Sequence, residues 1–114
     1  MMKYLLFVGG DETLELSDEE ETWMHESAES WVREMDARGV RLQGNRLGLT
    51  SDATTVRVRN DEVLIADGPF AETKEQIGGY DILECADLDE AIEVASKHPV
   101  AKVGFIEVRA FWQD

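Results

Sequence analysis

The residues able to do chemistry are few and scattered. Glu72, Lys74 and Glu75 place both signs of charge within four positions, the raw material for moving a proton or holding a polar ligand. Glu84 follows in the segment Gly79 to Cys85, where alternation puts Tyr80, Ile82 and Glu84 on one strand face and Asp81, Leu83 and Cys85 on the other. A carboxylate among apolar neighbours has its pKa raised by desolvation unless an arginine pairs with it. Arg57 and Arg59, on one face of their own strand with Thr55, are candidate partners. Tyr80 offers a phenol. The two histidines, His25 and His98, stand far apart without ligand spacing, so no metal site is expected. Cys85 sits mid-strand and reads as a small buried apolar residue rather than a nucleophile. A single cysteine also excludes an internal disulfide and a multi-cysteine zinc site. No phosphate loop, serine elbow or nucleotide fingerprint is present, and no cofactor is expected.

The elements that must position these residues follow from periodicity and caps. Lys3 to Val8 reads as a strand apolar on both faces, ended by a Gly9-Gly10 turn. Ser17-Asp18-Glu19-Glu20 is a capping box, and Met24, Ala28, Trp31 and Met35 share one face of the helix it opens. Gly39 stops that helix, and a strand runs from Val40 to Leu47 with Gly44 as a possible bulge. Thr54 to Arg59 and Glu62 to Ala66 form a hairpin across Asn60-Asp61. Asp67 to Gln76 lacks periodicity. Asp87 caps a second helix with Leu88, Ala91, Ile92 and Ala95 on its apolar stripe, Lys97 and His98 compensate its negative end, and Pro99 stops it. Phe105 to Trp112 is the last strand. The order β-α-β, hairpin, β-α-β predicts one α+β domain over residues 1–114, a ferredoxin-like βαββαβ sandwich with an inserted β-hairpin.

Composition bounds what such a domain can do. The 114 residues carry 11 basic against 25 acidic side chains, a formal net charge of −14. That balance argues against direct nucleic-acid binding and against an anionic membrane surface. The apolar run Tyr4 to Val8 is too short for a spanning helix or a signal-peptide core, so a cytoplasmic location is expected. The charge is uneven: residues 11–36 hold eleven acids and one base, whereas residues 38–60 hold five arginines and one acid. The basic segment reads as a solvated hairpin, or as a surface for an anionic ligand or for the acidic helix of a second subunit. In the first strand Tyr4, Leu6 and Val8 oppose Leu5 and Phe7; in the last, Ile106, Val108 and Trp112 oppose Phe105 and Phe111. Apolar residues on both faces predict a homodimer in which the open sheet faces meet.

The stretch Asp67-Gly68-Pro69-Phe70-Ala71-Glu72-Thr73-Lys74-Glu75-Gln76-Ile77-Gly78-Gly79-Tyr80 resembles the signature of the DGPF-domain proteins, a branch of the YCII-related family. The likeness continues through Asp87-Leu88-Asp89-Glu90-Ala91 and Ile106-Glu107-Val108-Arg109-Ala110. It implies a dimeric α/β-barrel built from ferredoxin-like units, with an undefined biochemical activity. It also places a candidate site at the Asp67 loop, with Asp67 or Glu72 as base or ligand anchor and Lys74 as anion partner. Phe70 would anchor the loop in the core, and Phe70, Tyr80, Glu84 and Arg57 would line a ligand cleft. The plainer alternative is that Asp67 caps a turn, Phe70 packs, and Glu72 and Lys74 are surface charges. The wider family is associated with a His/Asp pair whose histidine lies in the first helix. Aligned on Gly39, that place falls at Ala28, and His25 is the nearest histidine, one turn earlier. Two functions follow: a cleft for binding, or transferring protons on, a small polar or anionic molecule, or a non-enzymatic regulatory module. The family likeness associates the second with extracytoplasmic-function sigma factors.

Overall fold

A computed structural model describes residues 1–113. Strand β1 (Met2–Asp11) leads to helix α1 (Asp18–Ala37) and strand β2 (Arg41–Arg46). Strands β3 (Thr54–Arg59) and β4 (Glu62–Asp67) form a hairpin, followed by β5 (Glu75–Cys85), helix α2 (Leu88–Ser96) and β6 (Phe105–Ala110). The body is one antiparallel sheet in the order β2-β5-β1-β6, and β3-β4 is a separate two-stranded ribbon. This α+β arrangement, two helices against a mostly antiparallel sheet, is compatible with a ferredoxin-like fold.

The capping box at Ser17 forms as its sequence requires, with Glu20 N–H donating to Ser17 Oγ and the Glu20 carboxylate accepting from Ser17 N–H. Trp31 and Met35 of α1 and Ala91, Val94 and Ala95 of α2 bury against Tyr4, Leu6, Leu83 and Cys85, so both helices cover one sheet face. The Trp31 indole donates to the Val94 carbonyl at 2.9 Å, tying helix to helix inside the core. The stripe expected on α2 is shifted. Leu88 and Ile92 stay half exposed while Val94 joins the two alanines, because small side chains let this short helix lie close to the sheet.

Gly9 and Gly10 do not turn the chain; they lie within β1, which continues to Asp11 past a register shift at Val8/Gly9. The reason is close approach: a Cβ on Gly9 would overlap the Gln76 carbonyl oxygen and stand 2.8 Å from the Phe105 ring. The bulge in β2 falls between Arg41 and Gln43 rather than at Gly44. The last strand stops at Ala110, so Trp112 lies beyond it and is exposed, whereas Ile106 and Val108 pack on the core.

Two polar or charged side chains are buried among the described residues, and each has a physical account. Asp81 projects into the core face beside Leu83, where burial raises its carboxyl pKa and Arg41 Nε, 2.8 Å away, opposes that rise. Arg41 also reaches Asp36 at 3.2 Å. His98 does not compensate the α2 dipole. Its buried ring stands edge-on to Trp31 with centroids 4.6 Å apart, and its Nδ1 accepts from Val100 N–H at 3.1 Å, capping the 3₁₀ turn Pro99–Lys102. Desolvation lowers its pKa to about 4.

Arg41→Met is expected to lower unfolding stability by about 3–5 kcal/mol, because it strands a buried carboxylate, and Arg41→Met with Asp81→Leu to recover most of it. Urea unfolding at pH 7 measures both. His98 gives a separate pH signature. Between pH 6.5 and about 4 the unfolded chain takes up a proton that the folded one refuses. Stability is therefore full above pH 6.5 and falls on acidification, by on the order of 3 kcal/mol at the lower end. His98→Asn, which keeps an acceptor for Val100 N–H, should flatten that slope in unfolding curves taken across the window.

Candidate functional site

A cleft of about 430 Å³ opens where three segments converge: the end of β1 with Asp11, Glu12 and Thr13, the 3₁₀ turn with Thr50 and Ser51, and the Gly68–Gln76 loop. From the loop come Gly68, Pro69, Glu72, Thr73, Lys74 and Gln76. A second groove of about 780 Å³ shares Asp11, Thr73 and Lys74 and adds the apolar side chains Leu14, Val103 and Phe105. Glu75 also lines this groove, and Lys74 stands where the two meet.

The walls are held by local hydrogen bonds. Asp11 Oδ1 accepts from Thr13 N–H at 2.9 Å and from the Thr13 hydroxyl at 2.6 Å. These bonds, with a smaller contribution from Lys74, hold the Asp11 carboxyl below the usual carboxylate range. Glu12 accepts from the Thr50 hydroxyl and from Thr50 N–H at 3.1 Å, clamping the 3₁₀ turn to β1. Gln76 Nε2 donates to the carbonyls of Ala71 at 2.8 Å and Thr73 at 3.2 Å, which braces the loop from inside. At the other end of the loop Gly68 has φ +103°, open to glycine and costly for other residues. Its N–H donates to the Ala53 carbonyl at 2.7 Å, and its carbonyl accepts from the Thr55 hydroxyl at 2.8 Å.

Asp11 and Glu12 are therefore committed to structure. Glu72 and Lys74 form no hydrogen bond or ion pair within 4 Å among the described residues. Glu72 Oε1 hangs over Gly68, 3.9 Å from where a Cβ would stand. A free carboxylate and a free ammonium on one loop can accept from a ligand donor and pair with a ligand anion.

The other sequence candidates lie elsewhere. Asp67 ends β4 opposite Thr54, exposed and just outside the cleft lining. Phe70 does not anchor the loop in the core; it is 76% exposed, because Gln76 and not an aromatic plug supports the loop. Tyr80 and Glu84 are on the open sheet face, Tyr80 opposite Phe7 and Glu84 opposite Lys3. Arg57 is on the hairpin opposite Leu64, and no ion pair joins it or Arg59 to Glu84 among the described residues. His25 stands on the outer side of α1, its side chain 74% exposed and 3.1 Å from Glu29. Cys85 is buried, and burial pushes its thiol up to about 11, away from nucleophile chemistry at neutral pH. Periodicity gave no sign of Asp11, Glu12 and Thr50. The Asp-x-Thr spacing at Asp11 and Thr13, an Asx-type turn, was the available signal.

No helix among the described residues is long and apolar enough to cross a membrane. Two helices on an antiparallel sheet, a ribbon inserted between the halves and a polar cleft at one end of β1 define a small α+β domain. Its sequence matches the YCII-related domain over residues 2–113, and the chain belongs to that family. An uncharacterised protein of Rhizobium meliloti (strain 1021) is 38% identical over 81 residues, a match covering 58% of this chain and 65% of that protein.

Gln76→Leu removes both loop braces while keeping the side-chain bulk. At about 0.5–1.5 kcal/mol for each of the two bonds, amide exchange across residues 71–74 should quicken by roughly 5- to 160-fold while the Trp31 core keeps its protection. Hydrogen exchange resolved by residue checks this.

Proposed function

We infer that the protein binds a small polar molecule in the cleft between β1 and the Gly68–Gln76 loop, as a homodimer joined through its open sheet faces. The observation that carries the reading is the unpartnered pair Glu72 and Lys74 in a cleft whose remaining carboxylates are already bonded. A ligand with an acidic group would set it against Lys74 and a donor group against Glu72. If chemistry follows binding, proton transfer at Glu72 is what this arrangement carries, with Lys74 stabilising developing negative charge. The side chains of Leu14, Val103 and Phe105, in the groove beside Lys74, would receive the ligand's carbon skeleton.

Support for the dimer comes from the sheet face opposite the helices. Leu5, Phe7 and Ile82 are only half covered there, and the Arg109 guanidinium lies 5.0 Å from the Phe7 ring centroid. Apolar strands left half open favour a partner. A second reading, a non-enzymatic regulatory module such as one acting with an extracytoplasmic-function sigma factor, draws on the exposed acids of α1. Asp18, Glu19, Glu20 and Glu21 crowd its first turn and could dock on a basic protein surface.

A thermal-shift screen against small carboxylates, amino acids and phosphorylated metabolites separates the two. Under the binding reading at least one compound raises the melting temperature of wild type, by about 2.7 kcal/mol of stabilisation at a concentration one hundredfold above its Kd. That shift is lost in Lys74→Ala and reduced in Glu72→Ala, and Asp67→Ala, outside the lining, keeps it. Identical shifts in all four proteins would move the ligand out of this cleft.

A further inference from the structure

The β3-β4 ribbon carries a feature that the cleft does not use. Register pairs Val56 with Ile65 and Val58 with Val63, so these four side chains form one continuous aliphatic face. Each is between 55% and 69% exposed. Thr55 is the one residue of either strand that is not exposed. The opposite face pairs Arg57 with Leu64 and Arg59 with Glu62. The turn is well made, with Asn60 and Asp61 both in the left-handed region at φ 51° and 62°, the geometry of a tight type I′ connection. Six-residue strands reach about 20 Å. The ribbon is thus a built arm, and its oily face has no covering surface among the described residues of its own chain.

An isolated two-stranded ribbon is marginal in water, and burying that face would stabilise this one. A second copy of the chain is the occupant that its charge and area favour. The molecule carries −14, so two copies repel over most of their surfaces. Residues 55–66 are locally neutral, with Arg57 and Arg59 balanced by Asp61 and Glu62, so the arm escapes that repulsion. Area points the same way. Four aliphatic side chains supply on the order of a few hundred Å², short of the roughly 800 Å² per partner of a stable interface. In such a dimer the open sheet face, with Leu5, Phe7 and Ile82, would supply the remainder.

We propose that the arm Thr54–Asp67 grips the partner subunit, its Val56, Val58, Val63 and Ile65 face packing on a second copy of this chain. The proposal rests on the homodimer read above and assigns that dimer a second contact region. It also bears on the cleft, because the base of the arm bonds directly to Gly68 through Ala53 and Thr55. A docked arm holds the Gly68–Glu72 wall in place.

Sedimentation velocity from 1 to 100 µM tests it with wild type, an arm variant Val58→Glu and a sheet variant Phe7→Glu. Val56→Thr with Ile65→Thr is the milder arm variant, keeping β-branched side chains so that the ribbon still forms. A dimeric wild type whose Kd rises at least tenfold in both arm variants, with the cooperative melt of the body retained, supports the proposal. If the arm variants dimerise like wild type while Phe7→Glu is monomeric, the arm proposal is overturned and the sheet-face dimer stands. If only the arm variants dissociate, the arm is upheld and the sheet-face dimer falls. A wild type monomeric at 100 µM overturns both.

Discussion

Three backbones meet at Gly9, and the rest of the molecule is arranged around that meeting. A side chain there would strike the Gln76 carbonyl and the Phe105 ring, and one on Gly104 would strike the Gly9 carbonyl. Only bare backbone lets β5, β1 and β6 draw together at this point. β1 is paired on both sides, so its register fixes the whole sheet, and the shift at Val8/Gly9 sets where its last residues emerge. Those residues are Asp11 and Glu12, the floor of the cleft. Gln76 acts twice: its backbone closes on Gly9 and its amide braces the loop. The cleft is therefore an extension of the sheet rather than a loose loop placed over it.

The charge distribution has a similar division of labour. Arg38 is bonded to Glu93 at 2.7 Å and, with Lys97, holds that carboxyl down to about 2. Arg41 is taken by Asp81 and Asp36. Of the five arginines in the basic segment, Arg38 thus fastens the end of α1 to α2, Arg41 fastens α1 to the sheet, and Arg57 and Arg59 sit on the arm. Lys74 is the one cation lining the cleft among the described residues. The exposed pairs on the helices stabilise little, since solvent screens them and ordering long side chains is costly. The acids crowded into its first turn leave α1 acidic on its outer side, which keeps like molecules apart.

Local rules were enough for most elements. The capping box at Ser17, the Asp87 cap, the α1 stripe ending at Met35 and the Asn60-Asp61 turn depend on residues within four positions of one another, so sequence carries them directly. Gly9-Gly10 was misread because a glycine pair has two physical uses, turning and close approach, and only the neighbouring strands decide between them. Alternation had already put Asp81 on the face of Leu83 and Cys85. The buried carboxylate is therefore legible at Asp81, whereas Glu84, for all its apolar neighbours, lies on the open face. Arg41 could not be matched to it from sequence, since forty positions separate the two and only the β2-β5 pairing joins them. The cleft was half legible: the loop residues Glu72 and Lys74 stood out, but the wall from β1 and Thr50 is a tertiary product.

The arm and the cleft share one piece of backbone, and that has a thermodynamic consequence. Gly68 receives the arm's base on one side and begins the cleft wall on the other. On the readings proposed above, a second copy on the arm and a ligand beside Glu72 each restrict the same few residues. Whatever ordering the first supplies, the second need not supply again, so the two binding events favour each other. Linkage makes that effect reciprocal: if dimerisation tightens ligand binding by some factor, ligand tightens the dimer correspondingly. The size of the coupling is bounded by the freedom the loop retains when both sites are empty. Gln76 already removes much of it, which places the coupling toward the low end of the 1–3 kcal/mol that allosteric pairs typically show.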